Sequence, residues 1–277
     1  MEQLRTWIGR EEERHDLLGE GLLARFRATL ESRVAESEGI APRGVHWCLC
    51  TPEDAMSALG GDGHPRTGGF LPPVPLPRRM WTSGSVDFLA PLRSGAAIRR
   101  RSRVAAVSEK RSRSGATVFV ELDHLTFADD APAVRERQTL VWREAAAGMQ
   151  ALPGSGGADL SDWEFTRSRI PSPPLLFRYS ALTFNAHRIH YDLPYAQHDE
   201  GYPALVVQAP LLATLLLGHA ATRGNPSDPA RFSFRAVAPA YAGQLLHLAG
   251  RETGGGTDLA AIDNDGRRLM EARLEPR

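Results

Sequence analysis

A chain of 277 residues with 42% hydrophobic and 24% charged residues is long enough for one large or two small globular domains. Its 33 basic and 33 acidic residues balance, which argues against general attraction to nucleic acid or membranes. The sequence has no apolar run of about eighteen residues and no apolar signal core near its start, so we expect a cytoplasmic protein without membrane spans.

The first half begins with a predicted helix. Apolar residues at three- and four-residue steps predict a helix over residues 2–35. A short apolar run predicts a strand over residues 45–50, with Cys48 and Cys50 on one face. Two such thiols are badly placed for a disulfide and too few for a metal site, so we expect them to be reduced. The Gly- and Pro-rich segment "GGDGHPRTGGFLPPVPLPRRMW" follows, and long loops of this kind are often functional.

Four strand-like segments complete the first half. They read "SVDFLAPL", "AIRRRSRVAAVSEKR", "ATVFVELDHLTFA" and "VRERQTLVWRE", and the third shows the clearest alternation of apolar and polar positions. The arginine-rich run Arg99–Arg103 favours a solvated hairpin; the alternative is a partner for an anionic ligand such as a nucleotide phosphate. The first half therefore predicts a helix, a loop and an antiparallel sheet.

The second half repeats that order after a break. Residues 145–165 are small, glycine-rich and polar, which predicts a linker between domains at 1–150 and 165–277. "PLLFRYSALTF" is predicted as a strand that leads into a helix start, and "ALVVQAPLLATLLLGHAATR" as a long buried helix. Four strands are predicted in the two remaining segments, "ARFSFRAVAPAYAGQLLHLAGRE" and "GTDLAAIDNDGRRLMEARLEP".

The segment "TFNAHRIHYD", from Thr183 to Asp192, is the strongest candidate for chemistry. His187 and His190 lie three residues apart and could share a helix face, but a zinc site needs a third ligand in a recognised pattern, so we predict no metal. Histidine titrates near neutral pH, which suits acid–base catalysis. The residues alone leave this alternative level with an exposed helix end capped by Asn185.

The context of the motif resembles a known family. "FRYSALTFNAHRIHYDLPYA", "VVQAPLLATLLL" and "FSFRAVAPAYAGQ" are similar to the catalytic half of MaoC-like, hot-dog-fold enoyl-CoA hydratases, whose motif ends in His-x-Asp. "GGFLPPVPLPRRMW" and "TLVWRE" look like the non-catalytic repeat of one branch. That branch contains mesaconyl-C4-CoA hydratase, itaconyl-CoA hydratase and mitochondrial-type 3-hydroxyacyl-thioester dehydratases. The resemblance covers nearly the whole chain.

The resemblance implies both a fold and a reaction. The implied fold is an α+β double hot-dog, with two antiparallel sheets that each wrap around a long central helix. The first repeat would contact substrate and CoA, and the second would carry the hydratase motif. The implied enzyme is a hydro-lyase that adds water to a branched C5-dicarboxylyl-CoA, itaconyl-CoA or mesaconyl-C4-CoA, to give citramalyl-CoA, as in itaconate degradation. We expect no cofactor beyond the CoA of the substrate, no nucleic-acid or membrane partner, and a homodimer or a pseudo-dimeric monomer.

The resemblance also implies catalytic roles. His190 matches the acid–base histidine of the family. Asn185 stands five residues earlier, where the family has its catalytic aspartate, and a carboxamide cannot replace a carboxylate base. Asn185 is therefore expected to position water or substrate, with His187 or Asp192 assisting.

Five further residues are expected to bind substrate. Gln208 and Ala209 stand where the family places a helix N-terminus that donates an N–H to the developing enolate. Arg188 could grip a free substrate carboxylate through its planar guanidinium; the alternative is a structural ion pair with a nearby acidic residue. Arg79 is placed near the CoA phosphates, and Arg235 toward CoA or solvent.

Two other functions remain open from the sequence. A 3-hydroxyacyl-thioester (ACP or CoA) dehydratase of fatty-acid synthesis would have a long apolar tunnel and no need for Arg188. A non-catalytic acyl-CoA-binding hot-dog protein would have lost activity together with its aspartate. A thioesterase is a weaker alternative, because position 185 offers no carboxylate near the thioester.

Overall fold

The computed structural model describes most of the chain. The described residues form one sheet and five α-helices. The described residues are 1–31, 39–112, 115–145, 148–149, 151–152, 154, 156–222 and 229–277. The elements are α1 (Glu2–Arg5), β1 (Glu11–Leu17), α2 (Glu20–Leu30), β2 (Arg78–Phe88), β3 (Ala97–Ser112), β4 (Gly115–Ala128), β5 (Ala131–Arg143), β6 (Phe165–Arg169), α3 (Pro173–Leu182), α4 (Leu193–His198), α5 (Ala209–Ala221), β7 (Pro229–Ala236), β8 (Leu246–Thr253), β9 (Gly256–Asp263) and β10 (Arg268–Pro276).

The ten strands form one antiparallel sheet. Its order is β1-β3-β4-β5-β2-β7-β10-β9-β8-β6, and every described pairing is antiparallel. The two halves join where β2 pairs with β7, with Ser83 opposite Arg235 and Asp87 opposite Arg231. This pairing satisfies backbone groups that two free sheet edges would expose. One continuous sheet therefore replaces the two separate sheets that we expected.

The core is continuous across the halves. Helix α5 packs against β8, β9, β10 and β2, and buried leucines surround its axis, as expected for a central core helix. Helix α2 contributes Leu23 and Phe26 to the same apolar cluster that contains Leu211 and Phe232. Within the described residues, no helix combines the length and the apolar composition needed to cross a membrane.

Three local predictions in the first part of each half are wrong. The helix expected over residues 2–35 is interrupted, because Glu11–Leu17 pairs with β3 as a charged edge strand; residues 32–35 lie outside the described residues. The expected strand at 45–50 is a 3₁₀ turn over Val45–Cys48, and its two cysteines are buried free thiols. Pro173–Leu182 is a helix, because the Ser172 hydroxyl accepts a hydrogen bond from Leu175 N–H and proline occupies the first turn.

The later strands follow the prediction more closely. The alternation expected in β4 is present, since Val118, Val120, Leu122 and His124 are buried on one face. The edge strand β6 was not predicted. The domain boundary placed in residues 145–165 stays a prediction, and the hairpin turn expected after β3 lies partly outside the described residues.

Helix α5 starts later than predicted, and this delay builds the site. Val206 bridges Tyr241, and Val207 N–H donates to Ala240 O at 2.8 Å. These bonds hold residues 206 and 207 extended, so that the first turn of α5 begins at Ala209. The extended segment lies beside the hydratase motif, because Val206 N–H also donates to Ile189 O at 3.0 Å.

Candidate active site

Both halves line a cavity of about 1230 Å³. The second half contributes residues of the motif and the start of α5, and the first half contributes β2, the inner face of β3 to β5, and the glycine-rich loop. The predicted site residues in its wall are Asn185, His187, His190, Gln208, Ala209 and Arg79.

His190 is held as a neutral imidazole. Its ring is buried, and Nδ1 lies 2.7 Å from the carbonyl oxygen of Val206. Because a carbonyl oxygen only accepts hydrogen bonds, Nδ1 carries the hydrogen and Nε2 keeps its lone pair. Burial, reinforced by His187 and opposed by the bond to Val206, lowers the pKa of His190 to about 3. The ring can therefore accept a hydrogen bond or a proton from water at neutral pH.

The segment that fixes His190 continues into the N-terminus of α5. Gln208 precedes the helix, and its carboxamide nitrogen donates to Leu176 O at 2.9 Å and Ser180 Oγ at 3.0 Å. The first N–H groups of a helix lack intrahelical partners and carry the positive end of its dipole. Pro210 has no N–H, so Ala209 supplies the N–H group of the cavity wall at this point. The arrangement suits a developing negative oxygen.

Asn185 and His187 are fixed within the motif. Asn185 Oδ1 accepts a hydrogen bond from the backbone N–H of His187 at 3.0 Å, which leaves the carboxamide nitrogen as its donor group. His187 Nε2 donates to Glu200 Oε1 at 3.1 Å, and Glu200 Oε2 accepts from Arg78 Nε at 3.4 Å. The rings of His187 and His190 are 5.3 Å apart in an edge-on arrangement.

The glycine-rich loop of the first half is clamped onto this motif. Arg188 N–H donates to Asp62 O, and Arg188 Nη1 donates to Gly61 O, both at 2.9 Å. Asp62 Oδ2 accepts a hydrogen bond from His64 Nδ1 at 2.9 Å, and the His64 ring lies 4.1 Å from the ring of His187. Asp62 and His64 were not predicted as site residues, although a carboxylate two residues before a histidine in a glycine-rich loop was a visible signal.

Three polar side chains of this region lie close enough together to be potential metal ligands. Asp62, His64 and His187 each bring one potential ligand atom within 4.8 Å of the others, and the described residues contain no second group of this kind. Hydrogen bonds join Asp62 to His64 and His187 to Glu200, so the arrangement fits a hydrogen-bonded network. The expected absence of a metal and of a cofactor stays a prediction.

Burial, hydrogen bonds and nearby charges shift the pKa values of Asp62 and His64. Burial and the positive charge of Arg79 hold the pKa of His64 well below its usual value, against the opposing effect of Asp62. Burial alone would raise the pKa of Asp62, but the hydrogen bonds from His64 and the positive charge of Arg79 lower it to about 2. Asp62 is thus an anion that fixes the hydrogen of a neutral His64 on Nδ1.

Three predicted site residues lie outside the cavity wall. Arg188 donates to Asp192 Oδ2 from Nε at 3.0 Å and from Nη2 at 2.8 Å, and its guanidinium stacks over Tyr195 at 4.0 Å. Asp192 Oδ1 also caps α4 by accepting from Tyr195 N–H. Arg235 is exposed on β7 and pairs with Glu271 at 2.9 Å. Their placement corrects the expected contacts with substrate, because carboxylates of this chain already hold both guanidinium groups.

Arg79 is placed differently. It lines the cavity, and its guanidinium lies 5.9 Å from the ring of Trp142. No hydrogen bond or ion pair to its side chain occurs within the described part of the chain. Burial lowers the pKa of Arg79 to about 10, with Asp62 opposing the shift, so the group remains a cation at neutral pH.

Three polar side chains of the sheet in the first half line the cavity. Arg100, His124 and Gln138 line it from β3, β4 and β5. Register places His124 opposite Glu136, whose carboxylate accepts hydrogen bonds from Trp47 Nε1 at 2.8 Å and from Gln138 Nε2 at 3.0 Å. The prediction of a solvated hairpin therefore applies to only part of the arginine run. Side chains alternate between the two faces of β3, and Arg100 lies on the face toward the cavity.

Gly63 allows the loop to approach the motif. It has a φ of +89°, and a Cβ at this position would overlap the carbonyl oxygen of Ala186. We expect Gly63→Ala to push the loop away and to lower kcat/KM about 100-fold, the scale of a misplacement near 1 Å. Gly61→Ala is the matched control, because a Cβ there meets nothing within 4 Å. Equal activity of the two variants in steady-state assays would contradict the clamp.

The chain is similar to several known proteins. The family "Hydroxyacyl-thioester dehydratase type 2" matches residues 44–242. A mesaconyl-C(4)-CoA hydratase from Chloroflexus aurantiacus is 40% identical over 273 residues, which covers 98% of this chain and 96% of the relative. The solved structure of a MaoC-like dehydratase is similar in fold, with a TM-score of 0.73 at 14% identity over 98% of both chains. A Mycobacterium tuberculosis protein described as a double hotdog has a TM-score of 0.59 at 14% identity, over 97% of this chain and 96% of its own.

The two lines of similarity carry different weight. The solved structures support the hot-dog fold alone, because their identity is low. The family match and the full-length relative extend to the reaction type, since the matched region contains the buried imidazole and the helix start described above. The chain therefore belongs to the hydroxyacyl-thioester dehydratase type 2 family and is an enzyme of the hydro-lyase type.

Proposed function

We propose that the substrate is a branched C5-dicarboxylyl-CoA, mesaconyl-C4-CoA in the first place and itaconyl-CoA as its isomer, and that the product is citramalyl-CoA. The observation that carries this proposal is Arg79, a half-buried cation in the same cavity as the neutral His190. The side chain of Arg79 has no hydrogen bond or ion pair among the described residues. The similarity to a mesaconyl-C(4)-CoA hydratase over 98% of the chain supports it.

His190 is the acid–base residue in direct contact with water in this proposal. Its Nε2 accepts a hydrogen from the water that attacks the β-carbon, while Val206 O keeps the ring oriented. The carboxamide nitrogen of Asn185 positions the water or the acyl group. His187 is hydrogen-bonded to Glu200, and its ring packs edge-on against the ring of His190. His187 therefore supports His190 and is not assigned the contact with the attacking water.

The start of α5 stabilises the intermediate. Attack of water moves the electron pair of the C=C bond toward the thioester, and negative charge develops on the thioester oxygen. We assign the donor to the backbone N–H of Ala209, the first residue of α5, which lies at the positive end of the helix dipole. Gln208 holds that helix start through its bonds to α3.

Arg79 takes the role of carboxylate receptor that the sequence had offered to Arg188. In mesaconyl-C4-CoA the free carboxylate is bonded to the β-carbon, so its receptor must lie close to the attacking water. Arg79 lies near enough to Asp62 and His64 to shift the pKa of each, and His64 is packed on His187 beside His190. Asp62 lies near Arg79 but forms no ion pair with it, so the planar guanidinium can still bind a substrate carboxylate through two parallel N–H groups.

Two polar side chains of the cavity argue against the fatty-acyl alternative. Arg100 and His124 line the cavity, and Arg100 Nε and His124 Nε2 have no hydrogen-bond partner among the described residues. Packing of a long acyl chain against these atoms would leave them without a partner, which is unfavourable.

The test compares hydration of mesaconyl-C4-CoA, itaconyl-CoA and crotonyl-CoA by loss of the enoyl-thioester absorbance or by product analysis. Wild type is expected to prefer the dicarboxylyl substrates, and Arg79→Gln to reduce that preference about 10- to 100-fold, the cost of a charged hydrogen bond. Arg188→Ala is expected to lower hydration of all three alike, because Arg188 fastens the loop to the motif. Preference for crotonyl-CoA or a longer monocarboxylic chain would overturn the C5 assignment.

A further inference from the structure

The departure at position 185 leaves the proposed reaction without a carboxylate at the place where the family has one. Asn185 cannot take up a proton, and its oxygen is already bound to the backbone of His187. His190 would have to become a cation in a buried site, where the one described hydrogen-bond partner of its ring is the carbonyl of Val206. Among the described residues of the second half, no carboxylate is hydrogen-bonded to the ring of His190, because Glu200 binds His187 instead.

The first half brings such a group to the same place. His64 lines the cavity, whereas Asp62 lies behind it and accepts the hydrogen of its Nδ1 at 2.9 Å. A second bond, from His64 N–H to Asp62 Oδ1 at 3.0 Å, fixes the carboxylate relative to the loop. This geometry fixes the tautomer of His64 with a free lone pair on Nε2, and a carboxylate so placed stabilises an imidazolium when one forms.

The loop itself is built to keep this pair in position. Gly60 N–H donates to His64 O at 2.7 Å, and Leu59 bridges Pro65 on the two arms of the loop. Gly63 allows close contact with Ala186, and Arg188 binds the loop from the motif side. A surface loop without a role in the site would not require contact with the motif at so many points.

We propose that His64, oriented by Asp62, is a second acid–base group of the hydration reaction, supplied by the half of the chain that was expected to be non-catalytic. This inference rests on the proposed function and divides two tasks between two imidazoles: His190 holds the water by a hydrogen bond, and His64 transfers the proton. His190 Nε2 accepts one hydrogen of the water and so holds it. His64 Nε2 takes the other hydrogen as a proton while the oxygen bonds to the β-carbon and the C=C electron pair moves to the thioester.

The proton then returns. The His64 imidazolium, paired with Asp62, gives its proton to the α-carbon of the enolate, so that one water molecule has been added and the enzyme is unchanged. The charged and titratable groups that face His64 are Asp62, Arg79 and His187. Asp62 favours the imidazolium, whereas Arg79 and His187 oppose it and keep the resting ring neutral.

The experiment uses the full chain with mesaconyl-C4-CoA and crotonyl-CoA. His64→Ala is expected to lower kcat about 100- to 1000-fold. Added imidazole is expected to raise the kcat of this variant at least tenfold, about the scale of a partial rescue, because a free base replaces the missing ring. His198→Ala, an exposed histidine on α4, is the matched control and should neither lose activity nor respond to imidazole.

Asp62→Asn supplies the second measurement, because it keeps His64 in the chain. Removing the carboxylate lowers the pKa of His64, so the acidic limb of the pH–rate profile is expected to move to lower pH by about one unit or more, with a lower kcat. An unshifted limb together with a His64→Ala variant that imidazole cannot rescue would show a structural role only and overturn the inference.

Other outcomes separate this inference from the proposed function. If wild type hydrates mesaconyl-C4-CoA and His64→Ala equals it, the inference fails and the function stands. If wild type hydrates neither substrate, both fail. If a chelator abolishes wild-type activity and zinc restores it, Asp62 and His64 act as ligands, which also overturns the inference.

Discussion

Replacement of His190 by asparagine is expected to lower kcat for hydration by about 10²- to 10⁴-fold, the usual range for loss of an acid–base group. Asparagine is similar in size and keeps a donor toward Val206 O, so the fold around the 3₁₀ turn over Arg188–His190 should persist. The measurement is a steady-state assay with mesaconyl-C4-CoA, together with thermal unfolding of both proteins.

His219→Asn gives a comparison for this substitution. His219 is also a buried histidine of the second half, but it lies near the end of α5 and outside the cavity wall. It should lose stability without a specific loss of kcat. Full activity in His190→Asn would exclude the assigned acid–base role and favour the non-catalytic acyl-CoA-binding alternative.

Acidification is expected to destabilise the protein strongly between pH 6.5 and pH 5. Burial, as the largest cause, lowers the pKa of His46, His124 and His190 to about 3 each, against 6.5 for an exposed ring. The unfolded chain therefore binds more protons than the folded chain below pH 6.5, so stability falls as pH decreases toward 3. Each ring contributes about 2 kcal/mol of lost stability at pH 5.

One buried carboxyl opposes this trend. Burial raises the pKa of Glu136, so the folded chain binds this proton more readily than the unfolded chain and offsets part of the loss. The net loss is still a large share of the about 5–15 kcal/mol that stabilises a typical domain. Urea unfolding at pH 7.5, 6 and 5 measures it, and His124→Gln should reduce the pH dependence by about one proton. Equal stability at all three values would contradict the neutral, buried rings.

The sequence by itself determined the local elements whose residues repeat with a period. Alternation in β4 and the unbroken apolar run of α5 follow from side chains a few positions apart, and both elements are present. The motif that ends at Asp192, together with the segments around it, was enough to predict the family. These features depend on neighbours in the chain, so the amino-acid order records them directly.

Tertiary structure decided the partners of the charged groups. Arg188 and Arg235 were assigned to substrate, but a charged side chain has no local signature that separates a cavity position from a surface ion pair, and both bind carboxylates of this chain. The edge strand β1 was missed for the same reason, because its charged residues pair with β3 more than eighty positions away.

The catalytic contribution of the first half is the clearest case of long-range determination. Asp62 and His64 are more than 120 positions from His187, and the pairing of β2 with β7 and the clamp at Arg188 help to bring the loop to the motif. No periodicity records such a contact, since the two segments are ordered independently until the chain folds. The sequence therefore determined the reaction family, and the fold decided which charges surround the motif.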